Sequence, residues 1–235
     1  MGKWDWQVFF QDTGGGQTYL RWLMSAWGWT LSVALLALVI ALVVGSLIGI
    51  LRTVPNKWLA LFGECWTELF RNVPLLVQLF VWYHVLPALF LPLRSVPSFL
   101  LVVIGLGLFT SARIAEQVKA GIQTLPKGQR YAGLAMGLTL PQTYRYILMP
   151  MAFRIVIPPL TSESMNIIKN SSVAFAVSIA ELTFFAQQAA EETSRGVEIY
   201  LAVSFLYFIS AFAINRLAIA IEHRVQVPGM VGAGK

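Results

Sequence analysis

Residues 131–150 read Tyr131-Ala132-Gly133-Leu134-Ala135-Met136-Gly137-Leu138-Thr139-Leu140-Pro141-Gln142-Thr143-Tyr144-Arg145-Tyr146-Ile147-Leu148-Met149-Pro150. They sit inside the stretch 117–162, which carries Lys119, Lys127, Arg130, Arg145 and Arg154 and no Asp or Glu, between two hydrophobic segments. Gly137 supplies a backbone conformation that side chains forbid. Pro141 suits the first turn of a helix after the cap candidate Thr139. The pattern predicts a short helix around Gln129 to Ala135, a turn at Gly137 and a second helical stretch from Pro141. Two roles fit such a basic loop: a surface on which another protein docks, or an amphipathic helix lying on a membrane. Tyr131, Leu134, Leu138 and Tyr144 would serve either.

Working outward, the chain is 235 residues long, 57% hydrophobic and only 12% charged. Soluble domains are nearer half apolar and a quarter charged. Residues 22–51 and 72–93 lack Asp, Glu, Lys and Arg, and each run exceeds the ~20 residues that cross a hydrocarbon core as a helix. The chain reads as an all-α integral membrane protein. Met1 to Arg21 is polar and contains Gly14-Gly15-Gly16, and the first apolar run is too long for the core of a cleavable signal. The lone Cys65 leaves the redox compartment open. The net charge of +6 is spread over short loops between apolar runs, which reports topology and not a nucleic-acid partner.

Five spans are expected. The first covers about Gly28 to Leu51, where Gly45 and Gly49 form a pair suited to close helix packing. The second runs from Trp58 to Leu91, broken near Arg71-Asn72-Val73-Pro74 because Pro74 cannot donate to a helix ladder. The others are Ser98 to Lys119, Ile155 to Ala180, and Val197 to Ile221. Arg52, Lys57, the basic loop and Arg224 fall on one side of this arrangement. Arg94, Glu181, Glu191, Glu192, Arg195 and Glu198 fall on the other. Lys and Arg mark the cytoplasmic side, so the N-terminus is expected outside, and the C-terminus and basic loop inside.

Catalysis has little support. There is no Gly-x-Ser-x-Gly and no Cys/His cluster with metal spacing, and His84 and His223 are the only histidines. Gly232-Ala233-Gly234-Lys235 lacks the spacing, the following Ser/Thr and the flanking elements of a phosphate loop. The chemistry to explain lies in charges within the spans, where burial in lipid is costly. Arg113 and Glu116 are i, i+3 and can face the same way. Glu163, Asn166 and Asn170 share a face, with Lys169 beside Asn166. Together they would line a hydrated pathway able to meet both a carboxylate and an ammonium. Other roles stay open: Arg113 snorkelling to the cytoplasmic face, Lys169 pairing structurally with Glu116 or Glu163, and Arg71 holding the helix break. Trp22, Trp27, Trp29 and Trp82 read as interface anchors or lipid-facing bulk.

The spacing of Ala132, Gly133, Gly137, Leu138, Pro141, Ile147 and Pro150 resembles the cytoplasmic signature loop of ABC importer permeases. Its leading Glu is Tyr131 here, its second Ala is Gly133, and Met149 replaces the usual Leu. Glu68-Leu69-Phe70-Arg71-Asn72-Val73-Pro74-Leu75-Leu76-Val77-Gln78, Gly121-Ile122-Gln123-Thr124-Leu125-Pro126-Lys127-Gly128-Gln129, Lys169-Asn170-Ser171-Ser172 and Ala180-Glu181-Leu182-Thr183 are similar to polar amino-acid permeases of that class. Ile50-Leu51-Arg52-Thr53-Val54-Pro55-Asn56 is most similar to the glutamate/aspartate type.

The resemblance implies a type I ABC importer permease fold in a bacterial inner membrane. By the same resemblance residues 1–25 are a periplasmic segment, 26–222 the permease domain with its ATPase-docking loop at about 120–154, and 223–235 a cytoplasmic tail. Implied partners are two ABC ATPase subunits that bind ATP and Mg, a second permease (identical or sister chain), a periplasmic amino-acid-binding protein and the lipid bilayer. Catalytic residues and cofactors are expected in those ATPases and not in this chain. A self-contained secondary transporter or channel is the alternative, but its expected inverted repeat is not found. A membrane anchor or sensor would leave the charges at 113, 116, 163 and 169 unexplained.

Overall fold

The structure is a computed structural model and describes residues 4–225, with side chains to residue 221. Gly232-Ala233-Gly234-Lys235 and most of the expected 223–235 tail lie outside the described residues. The described residues form helices and no strand; the only extended pairing is an isolated Asp12–Thr18 bridge. The helices are α1 (Tyr19–Leu51), α2 (Lys57–Asn72), α3 (Leu75–Leu89), α4 (Ser98–Gln123), α5 (Lys127–Ala135), α6 (Leu140–Val177), α7 (Leu182–Thr193) and α8 (Gly196–Val225).

α1, α4 and residues Gly196–Ile221 of α8 are long and apolar enough to cross a membrane, and α2 with α3 and α6 with α7 pass that test as bent pairs. The count is therefore three to five. α1 starts at Tyr19, ahead of the expected Gly28, because the Thr18 hydroxyl accepts from Arg21 N at its N-terminus and no breaker follows. α6 starts at Leu140, well ahead of the expected Ile155. It absorbs a π turn at Tyr144–Leu148 and the pair Pro158-Pro159 without ending. The break at Val73-Pro74 is as expected, with Pro74 in an extended conformation ahead of α3.

Two compact units divide the chain, and the cuts fall inside α1, α4, α6 and α8 and between α2 and α3. The first comprises 1–39, 73–107 and 166–213. Its core joins Val8, Phe9, Tyr19, Leu23 and Ala26 to Leu182, Phe185, Ala186 and Ala189 of α7 and to Ile199 and Val203 of α8. The N-terminal segment is thus part of a core. Asp12 Oδ1 accepts from Gly14 N at 2.7 Å and Gly16 N at 3.3 Å, both glycines having positive φ. Asp5 N donates to Glu198 Oε1 at 2.9 Å, and Arg195 lies 3.5 Å from Asp5. Trp22 packs edge-on against Phe185, with ring centroids 5.0 Å apart, and Trp27 donates to Ser210 Oγ at 2.8 Å. Trp82 closes over Gly105. These three tryptophans are half-buried against the unit, whereas Trp29 is exposed.

The second unit comprises 40–72, 108–165 and 214–235. Gly45 and Gly49 mark a close crossing in it. A Cβ on Gly45 would lie 2.7 Å from Ile114 Cβ and from the Ser111 carbonyl, and one on Gly49 would lie 2.7 Å from Val118 Cβ. The small pair brings the α1 and α4 backbones together, as its spacing predicts. The Tyr144 hydroxyl donates to the Thr53 carbonyl at 2.8 Å and fastens the start of α6 to the end of α1.

Candidate functional site

The basic loop is an ordered helical hairpin in the second unit. At the end of α5, Leu138 N donates to Gly133 O at 3.1 Å and Gly137 N to Leu134 O at 3.0 Å. These are the two bonds of a Schellman cap with glycine at its left-handed position, and Gly137 has φ +83. α6 then opens on a capping box: Thr139 Oγ1 accepts from Gln142 N, and Thr139 N donates to Gln142 Oε1 at 2.8 Å. Pro141 occupies the first turn. The helix, glycine turn and capped second helix all appear as the spacing predicts.

Ala132, Gly137, Pro141 and Pro150 of the predicted docking set are exposed, and Leu138 and Ile147 are half-buried. Gly133 is buried: a Cβ there would lie 2.8 Å from Thr143 Cγ2 and Ile147 Cδ1, so this glycine lets the two arms of the hairpin touch. Tyr131 and Met136 are 63% and 80% exposed, with Leu134 and Tyr146 also exposed beside them. Sequence reasoning had not singled out Met136. Its position directly before the turn glycine was the available signal.

An ion cluster in the same unit was not anticipated. Arg52 Nη2 lies 2.5 Å from Glu64 Oε2 and 2.9 Å from Glu116 Oε1. Glu116 Oε1 is also 3.3 Å from Arg71 Nη1, and Arg71 Nη2 is 2.8 Å from Glu68 Oε1. Lys119 completes the set on Glu64. Three cations meet three carboxylates, so the cluster carries no net charge. It joins the end of α1, α2 and α4. Gly63 makes room for it, since a Cβ there would fall 2.5 Å from Arg52 Cγ. The Arg52 side chain is only 2% exposed. Charge counting places it only on the side of Lys57 and the basic loop, with no hint of its burial.

Glu116 therefore belongs with Arg52 and Arg71 and not with Arg113. A helical i, i+3 spacing allows two residues to share a face but does not oblige them to pair, and two arginines outcompete one. Arg113 is instead exposed, with its guanidinium 5.5 Å from the centre of the Phe109 ring and Nη1 3.9 Å from Glu163 Oε1. Gln117 Nε2 donates weakly to the same oxygen at 3.4 Å. Glu163 Oε2 and Gln117 Oε1 are buried without a partner among the described residues. In the first unit, Asn166 is half-buried and Lys169 exposed on α6. Both acids considered as structural partners of Lys169 are engaged by arginines of their own unit.

The first unit holds a buried carboxylate of another kind. Glu181, fully buried, caps α7 by accepting from Phe184 N at 3.0 Å and accepts from the Tyr207 hydroxyl at 2.6 Å. The next amide, Leu182 N, donates to Thr30 Oγ1 at 3.1 Å.

The described residues, all helical apart from loops, with helices long and apolar enough to cross a membrane, charges on them and an ordered basic hairpin, are those of an integral membrane protein. The chain belongs to the family of binding-protein-dependent transport system inner membrane components, whose model matches residues 41–227. It is a type I ABC permease of the amino-acid class. It is 42% identical to the glutamate/aspartate import permease protein GltJ of Escherichia coli (strain K12), over 97% of this chain and 98% of that protein. It is 33% identical to the probable glutamine ABC transporter permease protein GlnM of Bacillus subtilis (strain 168), over 84% of this chain and 90% of that one. Among solved structures, an amino acid ABC transporter crystallised with histidines is similar with a TM-score of 0.76 and 29% identity, covering 88% of this chain and 95% of that chain.

Proposed function

We propose that this permease carries glutamate and aspartate inward, driven by ATP that a separate ATPase pair binds with Mg and hydrolyses. The observation that carries the coupling is the basic hairpin: a rigid Schellman turn and capping box present Tyr131, Leu134 and Met136 to solvent, apolar surface that a partner would cover. Ala132, Gly137, Leu138, Pro141, Ile147 and Pro150 form its docking surface, with Gly133 setting its shape. The pathway includes Arg113 and Glu163, whose opposite charges suit an amino acid's carboxylate and ammonium. Asn166 and Lys169 follow three and six residues later on the same helix. Glu116, paired with Arg52 and Arg71, serves the pathway by fixing α4.

The anionic substrate is supported by the exposed Arg113 guanidinium and by the likeness to GltJ. In this reading the chain has five spans in a bacterial inner membrane. Segment 1–25 lies outside, and the loop at about 120–154 and the tail at 223–235 lie in the cytoplasm. A periplasmic binding protein delivers substrate to a pair of permeases, identical or sister chains, within residues 26–222. The test is ATPase activity of the reconstituted complex with its binding protein loaded in turn with glutamate, aspartate, glutamine and asparagine. Stimulation by the first two alone is expected. Equal stimulation by glutamine would move the substrate to the polar neutral class, and no stimulation by any would refute the coupling.

A further inference from the structure

Beside the hairpin, the end of α1 and the start of α6 enclose a groove of about 450 Å³. Its walls include Ile50, Val54, Tyr144, Met149 and Phe153, and its one charged lining residue is Arg145. The Tyr144 hydroxyl is committed to Thr53, so this wall offers a ring and no free donor. We propose that this groove is a binding site for an anionic phospholipid, with an acyl chain along the apolar wall and the phosphate on Arg145.

Charge argues for the headgroup. Arg145 has no carboxylate partner among the described residues, and the whole stretch 117–162 contains no acid to compete. Its guanidinium lies 5.7 Å from the centre of the exposed Tyr146 ring. Stacking of that kind leaves the in-plane N–H groups free to grip a phosphate. Depth argues for the tail. As a helix of 33 residues, α1 is about 50 Å long, against the roughly 40–45 Å of a bilayer with its headgroup layers. In the proposed orientation a helix of that length reaches through the bilayer, so Ile50 in its last turn and Val54 just beyond it fall near headgroup level in the leaflet on the side of the basic loop. Basic segments at that level attract anionic lipid. A cation at the rim and an apolar wall behind it match a phospholipid better than a free anion, which would leave the wall wet. Pro141 alone is shared with the proposed docking surface, so the hairpin tip stays available to a partner protein.

The experiment uses the complex in vesicles of phosphatidylethanolamine and phosphatidylglycerol, with a photoactivatable acyl chain on one lipid at a time. Crosslinked peptides are mapped by mass spectrometry. Labelled phosphatidylglycerol is expected on residues 50–54 and 140–153 several-fold above labelled phosphatidylethanolamine. Arg145→Gln should abolish that preference, and Val54→Phe, which fills the groove, should lower labelling by both lipids. Retention of thermal stability by Arg145→Gln makes that variant sufficient if Val54→Phe does not fold. Equal labelling by the two lipids, or an unchanged preference in Arg145→Gln, overturns the proposal. So does labelling that vanishes whenever the ATPase subunits are bound, which would assign the groove to them. Substrate-stimulated ATPase activity, measured separately, reports on the proposed function and does not depend on this result.

Discussion

In the first unit one carboxylate, Glu181, is fully buried and held by neutral donors: the Tyr207 hydroxyl and the α7 backbone. In the second, three carboxylates and three cations meet around Arg52, with Glu64 and Glu116 partly open to solvent. The two solutions fail differently. A hydrogen-bonded carboxylate loses one donor at a time, and each loss leaves one unsatisfied oxygen. A balanced ion cluster loses its neutrality when any member goes, and the remaining like charges then repel. The second unit is therefore the more sensitive to single substitutions, although the first has the more deeply buried acid.

Replacement of the central cation should have the largest effect. Arg52→Met leaves Glu64 and Glu116 short of a partner and is expected to cost about 3 kcal/mol, the lower end for a broken buried pair because both acids are partly solvated. Thermal unfolding in detergent measures it, and the double variant with Glu116→Gln should recover part of the loss. A cost under about 1 kcal/mol would place the cluster with ordinary surface ion pairs and remove the contrast between the units.

Tyr207→Phe comes next, at about 1.5–3 kcal/mol for a hydrogen bond to a charged group, read in the same assay. Hydrogen exchange at α7 should rise in that variant while the ion-cluster helices are unchanged; equal loosening of both regions would break the comparison. Thr30→Val removes the acceptor for Leu182 N together with the hydroxyl's own bond to the Ala26 carbonyl, and is expected to cost about 1 kcal/mol.

A topology measurement sharpens the comparison without a cost in stability. In a Cys65→Ser background, a cysteine at the exposed Gln188 of the first unit should react with an impermeant thiol reagent added outside. One at Gly128 of the second, where an added Cβ meets nothing, should not. The reverse pattern would overturn the proposed orientation.

The parts of this structure legible in the sequence are those fixed by local geometry. Gly137, Thr139 and Pro141 announce a turn and a helix start within a few residues, and Pro74 breaks a helix wherever it falls. Gly45 and Gly49 mark a close crossing because only absent side chains permit one. The α7 helix was also readable, from Leu182, Phe185, Ala186 and Ala189 at helical spacing, yet its acidic neighbours made it look like a loop. Arg52 was not readable. Counting charges assigns it to a side of the membrane, but its burial depends on Gly63 and on two carboxylates, Glu64 and Glu116, from two other helices. The packing of Val8 and Phe9 into a core has the same origin, since that core is completed by Leu182 and later residues, more than 170 residues away in the chain.

The central claim is that ATP hydrolysed elsewhere enters this protein through the basic hairpin. Uptake of labelled glutamate into proteoliposomes of the full complex, with ATP supplied to the ATPase side, tests it when wild type is compared with Gly137→Asp. Aspartate at the left-handed turn position is strained and places a charge where the partner docks, away from every helix crossing and from the ion cluster. The account predicts a folded, membrane-inserted variant whose ATP-driven uptake is abolished. Wild-type uptake by that variant would contradict it.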